Sequence, residues 1–257
     1  VYIEHDKKTV APVSLELCCE ARKLCDVTGE KLVAVILGEL PEEEIAKIRG
    51  CAVDEIILVN GTGLESYSVD AYTHVFTQLC QKYMPSAVFV GGTTNGRDFA
   101  PRFAVQLNTG CTSDATEVVY NPESKDIEFI EPAVGGKMMA VITVPILRPQ
   151  VGTIRPGTFK YEPAGEKENV TVINETINFD PAKIRTKVLE FTPPVDDGSV
   201  NLAAAEVVVC VGNAISGVDK LAKYQELAKL LGGEVGCTRP VFDRGLLPFK
   251  QIIGQSG

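Results

Sequence analysis

The stretch Ser86-Ala87-Val88-Phe89-Val90-Gly91-Gly92-Thr93-Thr94-Asn95-Gly96-Arg97-Asp98 sets the fold: a short apolar run, two glycines, a polar turn and then helical spacing to Leu107. An apolar run of this length, closed by glycine, is the pattern of a strand buried on both faces of a parallel sheet. The same alternation extends back to the first residue. Strands are expected at 1–4, 31–37, 55–59 and 86–90. Helices are expected at 12–28, 41–49, 69–83 and 98–107. Leu15, Leu17, Ala21 and Leu24 recur at helical spacing before the stop at Gly29, and Glu42, Glu43 and Glu44 favour the first turn of their helix. Repeated units of this size define an α/β fold with a mostly parallel sheet.

Beyond Asn108 the pattern changes. Short strands are expected at 117–120, 127–130 and 137–144, and the apolar stretch 138–147 reads as a buried strand. Residues 145–157 hold Pro145, Pro149 and Pro156 with little periodicity, and are expected to be a loop. Strands at 170–174 and 187–191 follow. Residues 192–199, Thr-Pro-Pro-Val-Asp-Asp-Gly-Ser, have linker chemistry. A new unit then begins, with a strand at 205–211, a turn at 212–217 and a helix at 219–231 before Gly232-Gly233. The expected organisation is an N-terminal α/β domain over 1–195, a linker over 196–204, and over 205–257 the first part of a flavodoxin-like or Rossmann-like domain. Roughly 55 residues are marginal for an independent core, and the sequence stops on a glycine just after a strand-like run, so that second domain is expected to be truncated.

Composition narrows the function. A net charge of −9 and a pI near 4.9 argue against nucleic acid and anionic membranes as partners. No apolar run nears the ~20 residues of a membrane span, and no targeting segment is recognisable. There are eight cysteines, with no CxxC, and histidines only at 5 and 74. This points to reduced thiols in a cytoplasmic protein rather than disulfides or a metal cluster. No Ser–His–Asp, Cys–His or paired-carboxylate arrangement is visible, so no catalytic residue is named.

Four constellations could hold a ligand. The 91–98 turn can bind an anion or cap the next helix through Asn95 or Asp98. Arg148-Pro149-Gln150 with Arg155-Pro156-Gly157 can clamp a phosphate or carboxylate, or be a solvated surface loop. Val211-Gly212-Asn213-Ala214 ends a strand where α/β folds bind ligands, or is an ordinary turn. Thr238-Arg239-Pro240 with Gly254-Gln255-Ser256-Gly257 offers a loop-borne cation, close backbone approach and a hydroxyl.

The residues also carry a resemblance. Ile3-Glu4-His5, the block Gly92 to Asp98 with Ala100-Pro101-Arg102, Gly135-Gly136-Lys137-Met138-Met139-Ala140, the 148–157 loop, Val235-Gly236-Cys237-Thr238-Arg239 and Ile253-Gly254-Gln255-Ser256-Gly257 follow one another as in electron-transfer flavoprotein alpha subunits. The chain resembles that family over nearly its whole length.

The resemblance implies an N-terminal domain that docks a beta subunit in a heterodimer, and a second domain that holds FAD. Asn213, Thr238, Arg239, Ile253, Gly254, Gln255 and Ser256 would be the FAD contacts, with Arg239 beside the isoalloxazine ring and Ser256 near N5. Family members often have Arg where Asn213 stands. The 148–157 loop is similar to the electron-bifurcating branch, in which electrons from NADH are divided between ferredoxin and a higher-potential acceptor. The implied role is an electron carrier between the beta-subunit flavin and a flavin-dependent dehydrogenase, such as an acyl-CoA dehydrogenase. The alternatives are a flavin-free scaffold for a partner subunit and an adenine-nucleotide-binding sensor.

Overall fold

The structure is a computed structural model of the 257-residue chain, and it describes residues 1–186, 189–190, 200–202 and 205–254. It divides into two compact units, residues 1–189 and 190–257. Of the expected strand at 187–191 only residues 189 and 190 are described, and they are not in a strand; most of the linker lies outside the described residues, as do Gln255 and Ser256.

The first unit begins β1 (Tyr2–Ile3), α1 (Pro12–Thr28), β2 (Val33–Leu37), α2 (Glu42–Arg49), β3 (Glu55–Asn60), α3 (Val69–Tyr83), β4 (Ala87–Gly91) and α4 (Thr94–Gln106). It continues with β5 (Cys111–Ala115), β6 (Glu117–Asn121), β7 (Asp126–Ala133), β8 (Met138–Ile142), β9 (Gln150–Ile154) and β10 (Thr171–Thr176). The parallel strands run in the order β1-β2-β3-β10 and β4-β9-β5, while β6-β7-β8 is an antiparallel meander. Tyr2 of β1 shares a core with Val88 and Val90 of β4 and Phe99 of α4. From β1 the chain builds outward through β2 and β3, then α3 carries it back to β4. The order therefore reverses between β1 and β4, which makes a topological switch point.

The second unit is smaller: β11 (Val208–Val211), α5 (Val218–Leu230), β12 (Glu234–Cys237) and α6 (Arg239–Asp243). β11 and β12 pair in parallel, and Ile252 bridges to Cys237 on the far side of β12. Val211, Leu221, Ala228, Val235, Cys237, Val241 and Leu247 form its core.

Residues 145–157 are not a loop throughout. They contain β9, all five residues of which are buried between β4 and β5. Two devices let so polar a strand sit inside. Gln150 is buried, accepts from Ile127 N–H at 2.8 Å and donates to Ile127 C=O at 3.0 Å, so its amide imitates a strand partner for β7. Gly152 leaves room for the Phe129 ring, which a Cβ would meet at 2.2 Å. The Arg148–Pro149 peptide before the strand is cis.

The 138–147 stretch corrects a second expectation. Only Met138–Ile142 is a strand, and Met138, Met139, Val141, Ile146 and Leu147 are exposed rather than buried. α4 starts at Thr94, four positions before the expected Asp98. Its cap is Thr93, whose hydroxyl accepts from Gly96 N–H at 3.0 Å, so neither Asn95 nor Asp98 caps it.

At the amino edge of the sheet, Asp54 ties several elements together. Its carboxylate accepts from Arg22 at 2.8 Å, from Leu32 N–H at 2.8 Å and from Lys167. Burial alone would raise this carboxyl, but the hydrogen bonds from Lys167, Leu32 and Arg22 outweigh it and hold it down to about 2, from 3.8.

Two measurements check these contacts. Gly152→Ala should cost about 1–3 kcal/mol in chemical denaturation, because Phe129 is fully buried and must be displaced. Because the folded pKa of Asp54 is depressed, its contribution is complete above pH 4 and fades as pH falls toward 2. Asp54→Asn should therefore lower Tm at neutral pH, and the gap to the parent protein should close on acidification through that window.

Candidate functional site

A parallel sheet delivers the carboxyl ends of its strands to one edge, and ligands bind there. The described residues offer two such edges, one in each unit.

The edge of the first unit is chemically closed. At the switch point, Glu4 follows β1 and faces the turn after β4. Its carboxylate accepts from Thr93 Oγ1 at 2.5 Å and from Asn95 Nδ2 at 3.0 Å. A negative group from the protein thus occupies the place of a bound anion. Gly92 N–H donates to Ile154 C=O at 2.6 Å. Arg97 and Arg155 both reach Asp114, at 2.7 and 2.6 Å. Burial would raise the Asp114 carboxyl, yet the two guanidinium groups keep it below the usual carboxylate range. Arg148 pairs with buried Asp126 at 2.8 Å and donates to Val144 and Leu147 carbonyls. The loop arginines do not lie idle in solvent: Arg148 ties the loop to β7 and Arg155 ties the end of β9 to β5.

A cavity of about 750 Å³ opens at the amino ends of β2 and β4, lined by Leu24, Cys25, Leu79, Cys80 and Val88 among others. It lies at the end of the sheet opposite the carboxyl edge. The eight cysteines are free. Burial pushes the Cys19 thiol up to about 11, so it is a neutral core group rather than a nucleophile. His5 Nε2 is 3.0 Å from Leu37 C=O, and His74 contacts Gln78. Among the described residues there is no group of three or more metal-ligating side chains, and no helix is long and apolar enough to cross a membrane.

The edge of the second unit is open. β11 ends at Val211 and is followed by Gly212-Asn213; β12 ends at Cys237 and is followed by Thr238-Arg239. Thr238 N–H donates to Val211 C=O at 3.0 Å, and Ile253 N–H donates to Cys237 C=O at 2.8 Å. These bonds bring Asn213, Thr238, Arg239, Ile253 and Gly254 to one edge, as a ligand site requires. Arg239 is the first residue of α6, not part of a loop.

The polar groups at this edge are under-used. Thr238 precedes α6 but its hydroxyl makes no hydrogen bond among the described residues. A Cβ placed on Gly212 would meet only that hydroxyl, at 3.9 Å, so the glycine leaves a notch beneath it. Arg239 approaches Asp243 only to 3.6 Å, with both side chains more than half exposed, a weak surface pair. Gly254 takes φ +91°, a conformation that suits glycine and lets backbone approach a flat ligand. Ile253 is half-buried, and its side chain lies against Gly236, where a Cβ would meet it at 2.3 Å. It seats the 252–254 segment against β12.

A parallel strand pair whose carboxyl ends carry a glycine turn, an arginine and a hydroxyl without a hydrogen bond among the described residues has the layout of an α/β nucleotide-cofactor edge. The family comparisons make this specific. The electron transfer flavoprotein domain matches residues 1–178, and the electron transfer flavoprotein FAD-binding domain matches residues 201–257. The chain belongs to the electron transfer flavoprotein alpha family, and FAD is its cofactor.

It is 35% identical to protein FixB of Clostridium saccharobutylicum, covering all of this chain and 76% of the relative. It is 32% identical to the electron transfer flavoprotein subunit alpha of Thermoanaerobacterium thermosaccharolyticum, covering all of this chain and 77% of that protein. The subunit LctC of an NAD(+)- and ferredoxin-linked lactate dehydrogenase from Acetobacterium woodii is 31% identical, with 100% of this chain and 61% of the relative covered.

Sequence reasoning missed Arg244. Its guanidinium donates to the carbonyls of Asn213 and Ile215, both at 2.9 Å, and to Asn213 Oδ1. No motif marks it; only the fold brings position 244 back to the turn after β11.

Arg148→Gln should unfold at lower denaturant, by about 1–3 kcal/mol, because buried Asp126 loses its charged partner. FAD content per folded complex should not change, which separates a structural arginine from a ligand clamp.

Proposed function

We propose that this chain is the FAD-bearing subunit of a heterodimeric electron carrier. Electrons pass between a flavin on a beta subunit and the FAD of the second unit, and on to a flavin-dependent dehydrogenase. The observation that carries this reading is the open, donor-rich edge of β11 and β12 inside the segment matched by the FAD-binding family. It is supported by the edge of the first unit, where Glu4 already engages Thr93 and Asn95, two groups of the 91–98 turn that an adenine-nucleotide sensor would turn to a phosphate. The match to an FAD-binding domain likewise sets aside a flavin-free scaffold.

Bound FAD supplies the redox chemistry. The side chains supply position and charge. Thr238 would offer its hydroxyl beside Gly212, with Asn213 next in the turn and Gly254 across the end of β12. Arg239 holds a permanent positive charge that stabilises electron density added to a nearby ring, raising its reduction potential. Gln255 and Ser256 follow directly in the sequence and, on the family resemblance, would be further FAD contacts. Ile253 acts by seating this segment. No side chain needs to break a substrate bond.

The first unit supplies the docking surface for the beta subunit. The exposed apolar side chains of β8 and the residues after it, Met138, Met139, Val141, Ile146 and Leu147, suit burial against a partner. The free thiols accord with a reducing cytoplasm, where we place the complex. For the branch, relatives include LctC and the electron transfer subunit beta of an acryloyl-CoA reductase. These names favour division of NADH electrons between ferredoxin and a higher-potential acceptor such as an acyl-CoA-type dehydrogenase.

The purified complex should hold at least one FAD assignable to this chain, and NADH should reduce ferredoxin only when a second acceptor is present. A complex with no FAD on this subunit contradicts the carrier role. Ferredoxin reduction without a second acceptor, or none at all, contradicts bifurcation alone.

A further inference from the structure

We infer that Arg244 is a phosphate-anchoring residue of the FAD site, and that it acts as one unit with Asn213. The inference rests on the FAD-binding reading above and assigns the dinucleotide's phosphates to a particular rim of the edge.

The argument starts from the turn after β11. The carbonyl oxygens of Asn213 and Ile215 carry partial negative charge at the rim where a phosphate would arrive, and left bare they would repel it. Arg244 covers both, one from each Nη1 hydrogen, at 2.9 Å. One Nη2 hydrogen then meets Asn213 Oδ1. The rim changes sign: two acceptors are masked and a full positive charge is laid over them.

The same contact fixes Asn213. With Oδ1 turned to the guanidinium, its Nδ2 hydrogens are the free end of the amide; the opposite flip would set donor against donor. Arg244 retains its Nε hydrogen and one Nη2 hydrogen, and no further partner of Arg244 exists among the described residues. Thr238 Oγ1, beside Gly212, also makes no hydrogen bond among the described residues. The rim therefore presents donors from three side chains around an open notch, which matches the acceptor-only, doubly negative diphosphate of a dinucleotide. A guanidinium recruited only to cap carbonyls would not need the amide oxygen of Asn213 as well.

Arg244 lies seven positions or fewer from none of its partners: it reaches them across 29 to 31 residues of sequence. This is why position 213 can be an uncharged residue without leaving the rim uncharged. The cation is delivered from the end of α6 instead of from the turn itself.

The test uses the full-length subunit with its partner. Arg244→Gln, Arg244→Lys and the exchange variant Asn213→Arg/Arg244→Gln are stripped of FAD and titrated with FAD and with ADP, at low and high salt. Thermal unfolding of each FAD-free protein is recorded in parallel. Arg244→Gln should weaken FAD and ADP about tenfold to a hundredfold at low salt, as expected for lost charge-assisted hydrogen bonds, with a smaller loss at high salt. Arg244→Lys should fall between, and the exchange variant should recover most of the affinity. The inference is overturned by affinities within twofold of the parent. It is also overturned by a loss that is equal at both salt concentrations, tracks a lowered Tm and is not recovered by the exchange. If the parent protein itself takes up no FAD on this subunit, the functional reading fails rather than this assignment.

Discussion

The constraint on which the structure depends is that parallel strands present all their carboxyl ends to one edge, where polar groups must find partners in the protein or in a ligand. The two units answer it in opposite ways. In the first, Glu4 satisfies Thr93 and Asn95, and Asp114 satisfies Arg97 and Arg155. In the second, among the described residues, the Thr238 hydroxyl makes no hydrogen bond, Arg239 holds Asp243 only loosely and Arg244 has donors without a partner. The same architecture thus has its edge groups paired internally in one unit and, among the described residues, partly unpaired in the other. The difference lies in where the carboxylates fall.

That contrast explains how motifs of one appearance acquire different roles. Gly91 to Asp98 and Gly212 to Gly217 are both glycine-bearing turns between a strand and a helix. An internal carboxylate reaches the first. An arginine from the end of α6 reaches the second and masks its carbonyls. Charge, rather than glycine spacing, separates a capped helix from a cofactor edge. The 148–157 loop teaches the same lesson. Its arginines look suited to a phosphate, yet each is matched to an acid that binds it into the sheet.

Much of the fold was legible because its signals are local. α1 and α3 fall where helical spacing and their stop signals put them, and the buried strands β2, β3 and β4 lie within a few residues of their apolar runs. β9 was hidden because its burial relies on distant residues. Gln150 is tolerable only beside Ile127, and Gly152 is needed only because of Phe129. β8 misled in the other direction, since an apolar run cannot say whether its face meets core or partner. At the edge of the second unit, Thr238, Arg239 and the 253–254 pair stand out in sequence through resemblance, and the fold does draw them together. Arg244 was invisible, because its meaning comes from contact across the unit.

Photoaffinity labelling tests the central contrast most directly. The complex would be loaded with an azido analogue of FAD, irradiated, digested and mapped on this chain. The account predicts adducts on peptides spanning residues 212–217 and 238–254, displaced by excess FAD. Displaceable adducts on residues 91–98 instead, with none on the second unit, would contradict it.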